Sequence, residues 1–366
     1  MSFLFSPFTL RNLTLNNRVV VAPMCQYAAR EGSPQDWHGM HLGNMAISGA
    51  GLMICEATGV SAEGRITPDC TGLYSDKNEA AFRRQVEFCR SIAPIKIGIQ
   101  LNHSGRKGST RAPWLDGGAL TQEEGAWVPL APSPVPYLAD WAPPREMDSG
   151  DLDRVKADFV QASRRAAGIG FDLIELHVAH GYLLHQFLSP ITNHRTDAYG
   201  GSLENRMRFP LEVFEAVRSV FPEGKPVIVR LSATDWIDEA WDVEQSVVFA
   251  RELKALGCDM IHVTSGGLDQ RQNITTGPGY QVEFAHAIRS DADIPTMAVG
   301  EIVEPIQAET IIRTGQADLV SLARGMLWDP RWVWKAAVAL DAELALPAPY
   351  ARCNPDLRAK PFVLRS

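Results

Sequence analysis

Cysteine is scarce in this chain and never paired. Six residues (Cys25, Cys55, Cys70, Cys89, Cys258 and Cys353) are scattered over 366, with no C-x-x-C motif. That excludes a disulfide scaffold and a cysteine-based zinc or iron–sulfur site, and it fits thiols kept reduced. Positive charge is also in short supply. The 35 Lys and Arg face 43 Asp and Glu, leaving a net charge of -8, which argues against a nucleic-acid partner. No run approaches the ~18 apolar residues that cross a bilayer, so no membrane partner is expected. The start, MSFLFSPFTLRNLTLNNR, lacks a basic region followed by a continuous apolar stretch. No secretory leader is expected, a cytoplasmic location is, and the Asn12-Leu13-Thr14 sequon reads as incidental. Internal repeats and low-complexity tracts are missing too. So is a G-x-G-x-x-G after the first strand, which removes the main sign of a doubly wound dinucleotide-binding sheet.

What is present is an ordinary globular composition, 45% hydrophobic and 21% charged. Short apolar, β-branched runs alternate with amphipathic stretches along nearly the whole length. The runs at Val19–Ala22, Gly51–Cys55, Ile95–Leu101, Asp172–Leu176, Val227–Leu231, Met260–Val263, Thr296–Val299 and Leu319–Leu322 are continuous rather than alternating, as strands buried on both faces should be. Helices are expected at Lys77–Ile92, Asp151–Ala167, Leu203–Val220, Val243–Leu256, Val282–Arg289 and Pro305–Arg313, with two more after Asp36 and near Trp332. Several end near glycine, as at Ala167-Gly168 and Leu256-Gly257. The pattern predicts an α/β fold, a single (β/α)₈ TIM barrel spanning residues 1–366. The residues before Asn17 are expected to cap its bottom. The long Pro-, Gly- and Trp-rich loop Ser104–Ser149 after the third strand reads as a lid or binding loop. The tail 346–366 is expected to contact a neighbouring subunit.

Active residues of such barrels lie at the C-terminal ends of the strands, and most of those ends carry a polar group here. The set includes Pro23-Met24-Cys25-Gln26-Tyr27, Glu56-Ala57-Thr58, Gln100-Leu101-Asn102-His103 with Gly105-Arg106-Lys107, His177-Val178-Ala179-His180-Gly181-Tyr182, and Arg230. Ser265-Gly266-Gly267, Gly300 and Ala323-Arg324-Gly325 complete it. Glycine turns after the last two strands suit a phosphate, or are ordinary turns. The spacing of His177 and His180 allows three roles: metal ligation, paired donation to an oxygen gaining negative charge, or satisfied core histidines.

Residues 175–209 read ELHVAHGYLLHQFLSPITNHRTDAYGGSLENRMRF. This resembles the signature of the Old Yellow Enzyme family of FMN-dependent ene-reductases. APMCQY at 22–27 and QLNHSGRK at 100–107 are similar to its thermophilic-like class, to which xenobiotic reductase A belongs. The resemblance runs from about Leu4 to Arg352. It implies FMN bound without a covalent bond at the top of the barrel, with NADPH (or NADH) as reductant. By that match, Ala22, Pro23, Met24 and Cys25 line the flavin ring, and Ala57 and Gln100 reach its pyrimidine edge. Arg230 lies near N1 and O2, while Gly300, Ala323 and Arg324 hold the phosphate. The implied substrate is a small electron-poor alkene. His177 and His180 bind its carbonyl oxygen, Tyr182 protonates its α-carbon, and Cys25, Tyr27 and Lys107 stand around it. The motif Tyr350-Ala351-Arg352 implies a homodimer or homotetramer in which Arg352 enters the neighbouring active site.

Three positions depart from the family pattern. Ala323 replaces a glycine, Ala22 replaces a serine, and the tail after Arg352 is long. A metal-dependent barrel lyase or hydrolase and a non-catalytic flavin-binding barrel are the competing expectations.

Overall fold

The computed structural model describes residues 2–350, 352–353 and 359–362. Eight parallel strands close into a barrel: β1 (Val19–Val21), β2 (Leu52–Gly59), β3 (Lys96–Asn102), β4 (Leu173–Val178), β5 (Val227–Ser232), β6 (Ile261–Thr264), β7 (Thr296–Ala298) and β8 (Leu319–Leu322). Each strand pairs with its neighbour in sequence, and Val320 of β8 against Val19 of β1 closes the ring. This is a (β/α)₈ barrel. Its outer ring holds α1 (Asp36–Ala46), α2 (Asp76–Ile92), α3 (Ser149–Ile169), α4 (Leu203–Val220), α5 (Val243–Ala255), α6 (Val282–Ala292), α7 (Pro305–Arg313) and α8 (Trp332–Ala339).

Local chemistry starts and stops these helices. Ser75, Asp148, Ser202 and Asp242 each accept a backbone N–H of the first turn, filling a donor the helix leaves open. The stop of α3 is Gly170 at φ 98°, not Gly168, which lies inside the helix. Only the later glycine adopts the left-handed conformation that a C-terminal cap requires.

The bottom of the barrel is plugged as expected. Phe8–Leu10 and Leu13–Leu15 form an antiparallel hairpin. Its Leu10, Leu13 and Leu15 pack with Val20, Leu52, Ile54, Leu173, Ile228, Met260, Met297 and Leu319. Burying each such side chain is worth about 1.5–3 kcal/mol relative to exposure.

Two strands run further than their apolar runs. β2 continues to Gly59 and β4 to Val178, because pairing of His177 with Arg230 and of Gly59 with Asn102 carries the ladder on. His177 therefore sits within β4, not past it. Between β2 and β3 the register shifts at Glu56. Such a bulge re-aims a side chain beside a site. Two short helices, Leu183–Leu188 and Arg324–Trp328, were not expected from the pattern.

The long loop after β3 holds three 3₁₀ turns and a short parallel pairing of Leu130–Ala131 with Arg145–Glu146. In the tail, Leu344–Pro347 pairs with Ala359–Phe362. Residues 351, 354–358 and 363–366, on which part of the subunit-contact expectation falls, lie outside the described residues.

Candidate active site

Above the apolar plug, the interior turns polar. Glu175, fully buried, accepts from Gln100 Nε2 at 2.7 Å on one oxygen and lies 2.7 Å from His262 Nδ1 on the other. β4 and β6 are separated by β5, so the second contact reaches past that strand. Arg230 stands between them, in register with His177 on one side and His262 on the other. Burial lowers the Arg230 guanidinium, and Glu175 opposes that shift. His177 Nδ1, Arg230 Nε, His262 Nε2 and Ser321 Oγ are buried with no hydrogen-bond partner among the described residues. Orphan polar atoms of this kind cost about 1–3 kcal/mol each. A flat ligand with donors and acceptors along its edge would satisfy them.

At the rim of β4 the chain makes a tight turn. The rings of His177 and His180 stand edge to face at 5.1 Å, with facing nitrogens 3.4 Å apart. The Tyr182 ring meets His177 at 4.9 Å. Burial holds both imidazoles well below their usual pKa, and the positive Arg230 adds to this; both are neutral near pH 7. Burial pushes the Tyr182 phenol well above its usual value, with Cys25 and Tyr27 among its neighbours. Among the described residues, no group of three or more His, Cys, Asp and Glu comes together as a metal site needs.

Gly181 has no alternative residue. At φ 72°, a Cβ there would meet Gly267 O at 2.5 Å and Leu268 Cα at 2.7 Å. Lys107 spends its ammonium on two carbonyls, His180 O at 2.9 Å and Gly267 O at 2.8 Å. Burial, with Arg106 beside it, pulls its pKa to about 7.

The first strand delivers Ala22, Pro23, Met24 and Cys25 to the same rim, and the Ala22 amide donates to Leu322 O at 3.0 Å. Burial raises the Cys25 thiol well above its usual value, with Cys70 and Glu56 adding to the shift. Tyr27 takes a left-handed conformation at φ 48° and meets Trp114 of the long loop edge to face at 5.5 Å. Glu56, at the bulge, accepts from Gln26 N at 3.0 Å and lies 3.2 Å from His38 Nε2 of α1. Ala57 sits opposite Gln100 in the ladder.

Beside Arg230 opens a cavity of about 410 Å³, lined by Thr264, Gln281, Gly300, Ser321, Ala323 and Arg324 among others. Gly300, at φ 120°, lets Gln281 approach: a Cβ would lie 2.6 Å from its Nε2. Arg324 is largely exposed, 3.9 Å from Glu301. Arg352 is exposed and stands apart from this grouping in the sequence, two residues after Tyr350, whose ring meets Trp334 of α8.

Sequence reading gave Glu175 and His262 no role in the site, and Glu56 stood only among the polar strand ends. A charged residue inside a continuous apolar strand was the available signal for Glu175, since a buried carboxylate demands partners. Period-two alternation also puts it on the same face as His177.

Over residues 3–343 the chain matches the family described as NADH:flavin oxidoreductase / NADH oxidase. It is 41% identical over 353 residues to an NADPH dehydrogenase of Geobacillus sp. (strain WCH70), covering 96% of this chain and 98% of the relative. Among solved structures, it is similar to morphinone reductase (29% identity, TM-score 0.76, covering 98% of this chain and 93% of that one). An old yellow enzyme homologue from Zymomonas mobilis is likewise similar (27% identity, TM-score 0.75, 94% of both chains). The chain belongs to the NADH:flavin oxidoreductase / NADH oxidase family, the Old Yellow Enzyme family, and is an NAD(P)H-dependent flavin oxidoreductase with FMN as its cofactor.

Proposed function

We propose that this flavin oxidoreductase is an ene-reductase, reducing the double bond of α,β-unsaturated carbonyls such as enones, enals and maleimides, and also acting on nitro compounds. The observation that carries the reading is the placing of two neutral imidazoles and a phenol together at the end of β4 and on the turn that follows it, beside Glu175 and Arg230. Bound without a covalent link, FMN would supply the hydride chemistry, from NADPH (or NADH) by way of N5 to the β-carbon of the alkene.

The chain's own residues do the rest. Ala22, Pro23, Met24, Cys25, Ala57 and Gln100 hold the ring, and the orphan polar atoms supply its edge with partners. The Arg230 guanidinium offsets negative charge at the pyrimidine end. Gly300, Ala323 and Arg324 hold the phosphate, and the methyl group of Ala323 leaves its N–H available. His177 and His180 donate to the carbonyl oxygen of the substrate and stabilise the enolate-like charge that develops there. Tyr182 then protonates the α-carbon, a task suited to a phenol that keeps its proton at neutral pH. Cys25 and Tyr27 line the substrate side, and Lys107 braces it through the carbonyls it binds. Arg352 reaches the active site of a neighbouring subunit in a homodimer or homotetramer of single-barrel chains, and the unpaired cysteines suit a cytoplasmic setting.

The test is a visible spectrum of the purified protein, before and after anaerobic NADPH and then after 2-cyclohexenone. Flavin bands that bleach with NADPH and return with the enone are expected. A reduced flavin that the enone leaves bleached would remove the ene-reductase reading.

A further inference from the structure

The turn that carries His180 and Tyr182 contains two successive left-handed residues, His180 at φ 57° and Gly181 at φ 72°. A residue with a side chain adopts that conformation rarely, and keeps it only where its surroundings hold it there. Here every peptide group of the pair is taken by a side chain. Ser232 Oγ accepts from His180 N at 3.0 Å, and Lys107 Nζ donates to His180 O at 2.9 Å. Gln186 Nε2 donates to Gly181 O at 2.7 Å, and His185 Nδ1 accepts from Gly181 N at 3.0 Å.

His185 differs from the other three in needing one particular tautomer. Its Nδ1 can accept only without a proton, so the ring proton belongs on Nε2. That nitrogen lies 3.0 Å from Asp235 Oδ1, and both side chains are fully buried. The other oxygen of Asp235 accepts from Ser189 Oγ at 2.6 Å and from Trp241 N at 3.2 Å. His185 Nε2 and Asp235 Oδ1 lie off the line of a regular hydrogen bond. Yet a carboxylate that only accepts, this close to Nε2, favours through its charge the tautomer that leaves Nδ1 open to Gly181.

We propose that His185 is a positioning residue of the reaction. With its tautomer set by Asp235, it clamps the Gly181 amide and so aims His180 and Tyr182 at the substrate. The role rests on the functional reading above, and its test is chosen to fail separately from that reading.

Holoenzyme labelled with ¹⁵N-histidine reports the tautomer without any turnover. The assigned His185 ring should carry its proton on Nε2, and a proton on Nδ1 would overturn the proposal. Two variants then separate the clamp from mere packing. His185→Asn sets an amide oxygen where Nδ1 stands and keeps the acceptor, whereas His185→Gln extends toward Asp235 and loses it. H185Q should reoxidise with 2-cyclohexenone roughly 10- to 100-fold more slowly, the effect of displacing a reacting group by about 1 Å. Its FMN content should stay near that of the wild type, and H185N should recover most of the lost rate. Equal losses in the two variants would sink the idea. If even the wild type is not reoxidised by the alkene, the functional reading fails, and crystal structures of the variants still decide this one. Tyr182 displaced in H185Q alone supports the clamp; an unmoved turn in H185Q overturns it.

Discussion

Glu175 and His262 meet at 2.7 Å in the fully buried centre of the barrel, and Gln100 donates to the second oxygen of the same carboxylate at the same distance. A buried carboxylate is costly unless partnered. Here its charge lies close enough to Arg230 to oppose the effect of burial on that guanidinium. Glu175→Gln keeps the shape and removes the negative charge. With Arg230 less compensated, reduced flavin is favoured and the FMN potential should rise by tens of millivolts, ~30 mV for each ~1.4 kcal/mol in a two-electron couple. A redox titration of the holoprotein reads this directly, and an unchanged or lower potential would count against the role.

Tyr182→Phe tests the proton donor. Reduction of the flavin by NADPH should be nearly unaffected, while reoxidation by the enone slows by about 100-fold or more, the usual contribution of a positioned acid. Stopped-flow measurement of the two half-reactions separates them. Equal loss in both would remove Tyr182 from the protonation step.

Thr264 Oγ1 lies 3.1 Å from His180 Nε2 and 3.2 Å from Gln281 Oε1, while Ser265 Oγ already serves that oxygen at 2.7 Å. When the threonine proton goes to His180 Nε2, the ring keeps its own proton on Nδ1, free to donate. Thr264→Val should therefore slow enone reduction roughly 10-fold, about 1.4 kcal/mol of lost hydrogen bonding. A rate equal to the wild type would show that the hydroxyl does not orient the ring.

Gly300→Ala places a methyl group 2.6 Å from Gln281 Nε2 at a backbone φ of 120°. The cavity wall must shift, and FMN should bind at least 10-fold more weakly, an effect of about 1.4 kcal/mol. Flavin fluorescence released on dilution measures it. Unchanged retention would place the phosphate elsewhere.

Burial depresses several histidines together. His41 is brought to about 4 and His103 to about 3, and His177 and His180 fall well below the usual 6.5. The unfolded chain takes up protons as pH falls through about 6.5 while the folded chain does not, so their stabilisation is present above that pH and is lost below it. Each such group contributes a slope of about 1.4 kcal/mol per pH unit. The thermal midpoint should drop steadily from pH 6.5 toward 4, with a gentler slope in His103→Asn. A flat midpoint over that interval would contradict the burial of these rings.

The barrel was legible because its strands are continuous apolar runs and its helices amphipathic ones, two patterns set by local spacing. Strand ends were less so. β4 reaches Val178 because Arg230 pairs with His177, and no apolar run marks that. The Ala167-Gly168 stop was misplaced by two residues because either glycine satisfies the pattern, and only the one with φ 98° ends the helix.

By itself, the sequence determined the eight strand–helix units, the polar rim and the His-x-x-His-Gly-Tyr turn, since each depends on residues close together in the chain. Only the tertiary structure decided who meets whom. Glu175 finds His262 from 87 residues away, and Lys107 finds Gly267 from 160. Closing the ring brings distant strands into one small interior, where every buried charge and peptide group must find a partner, and local spacing holds no record of that closure.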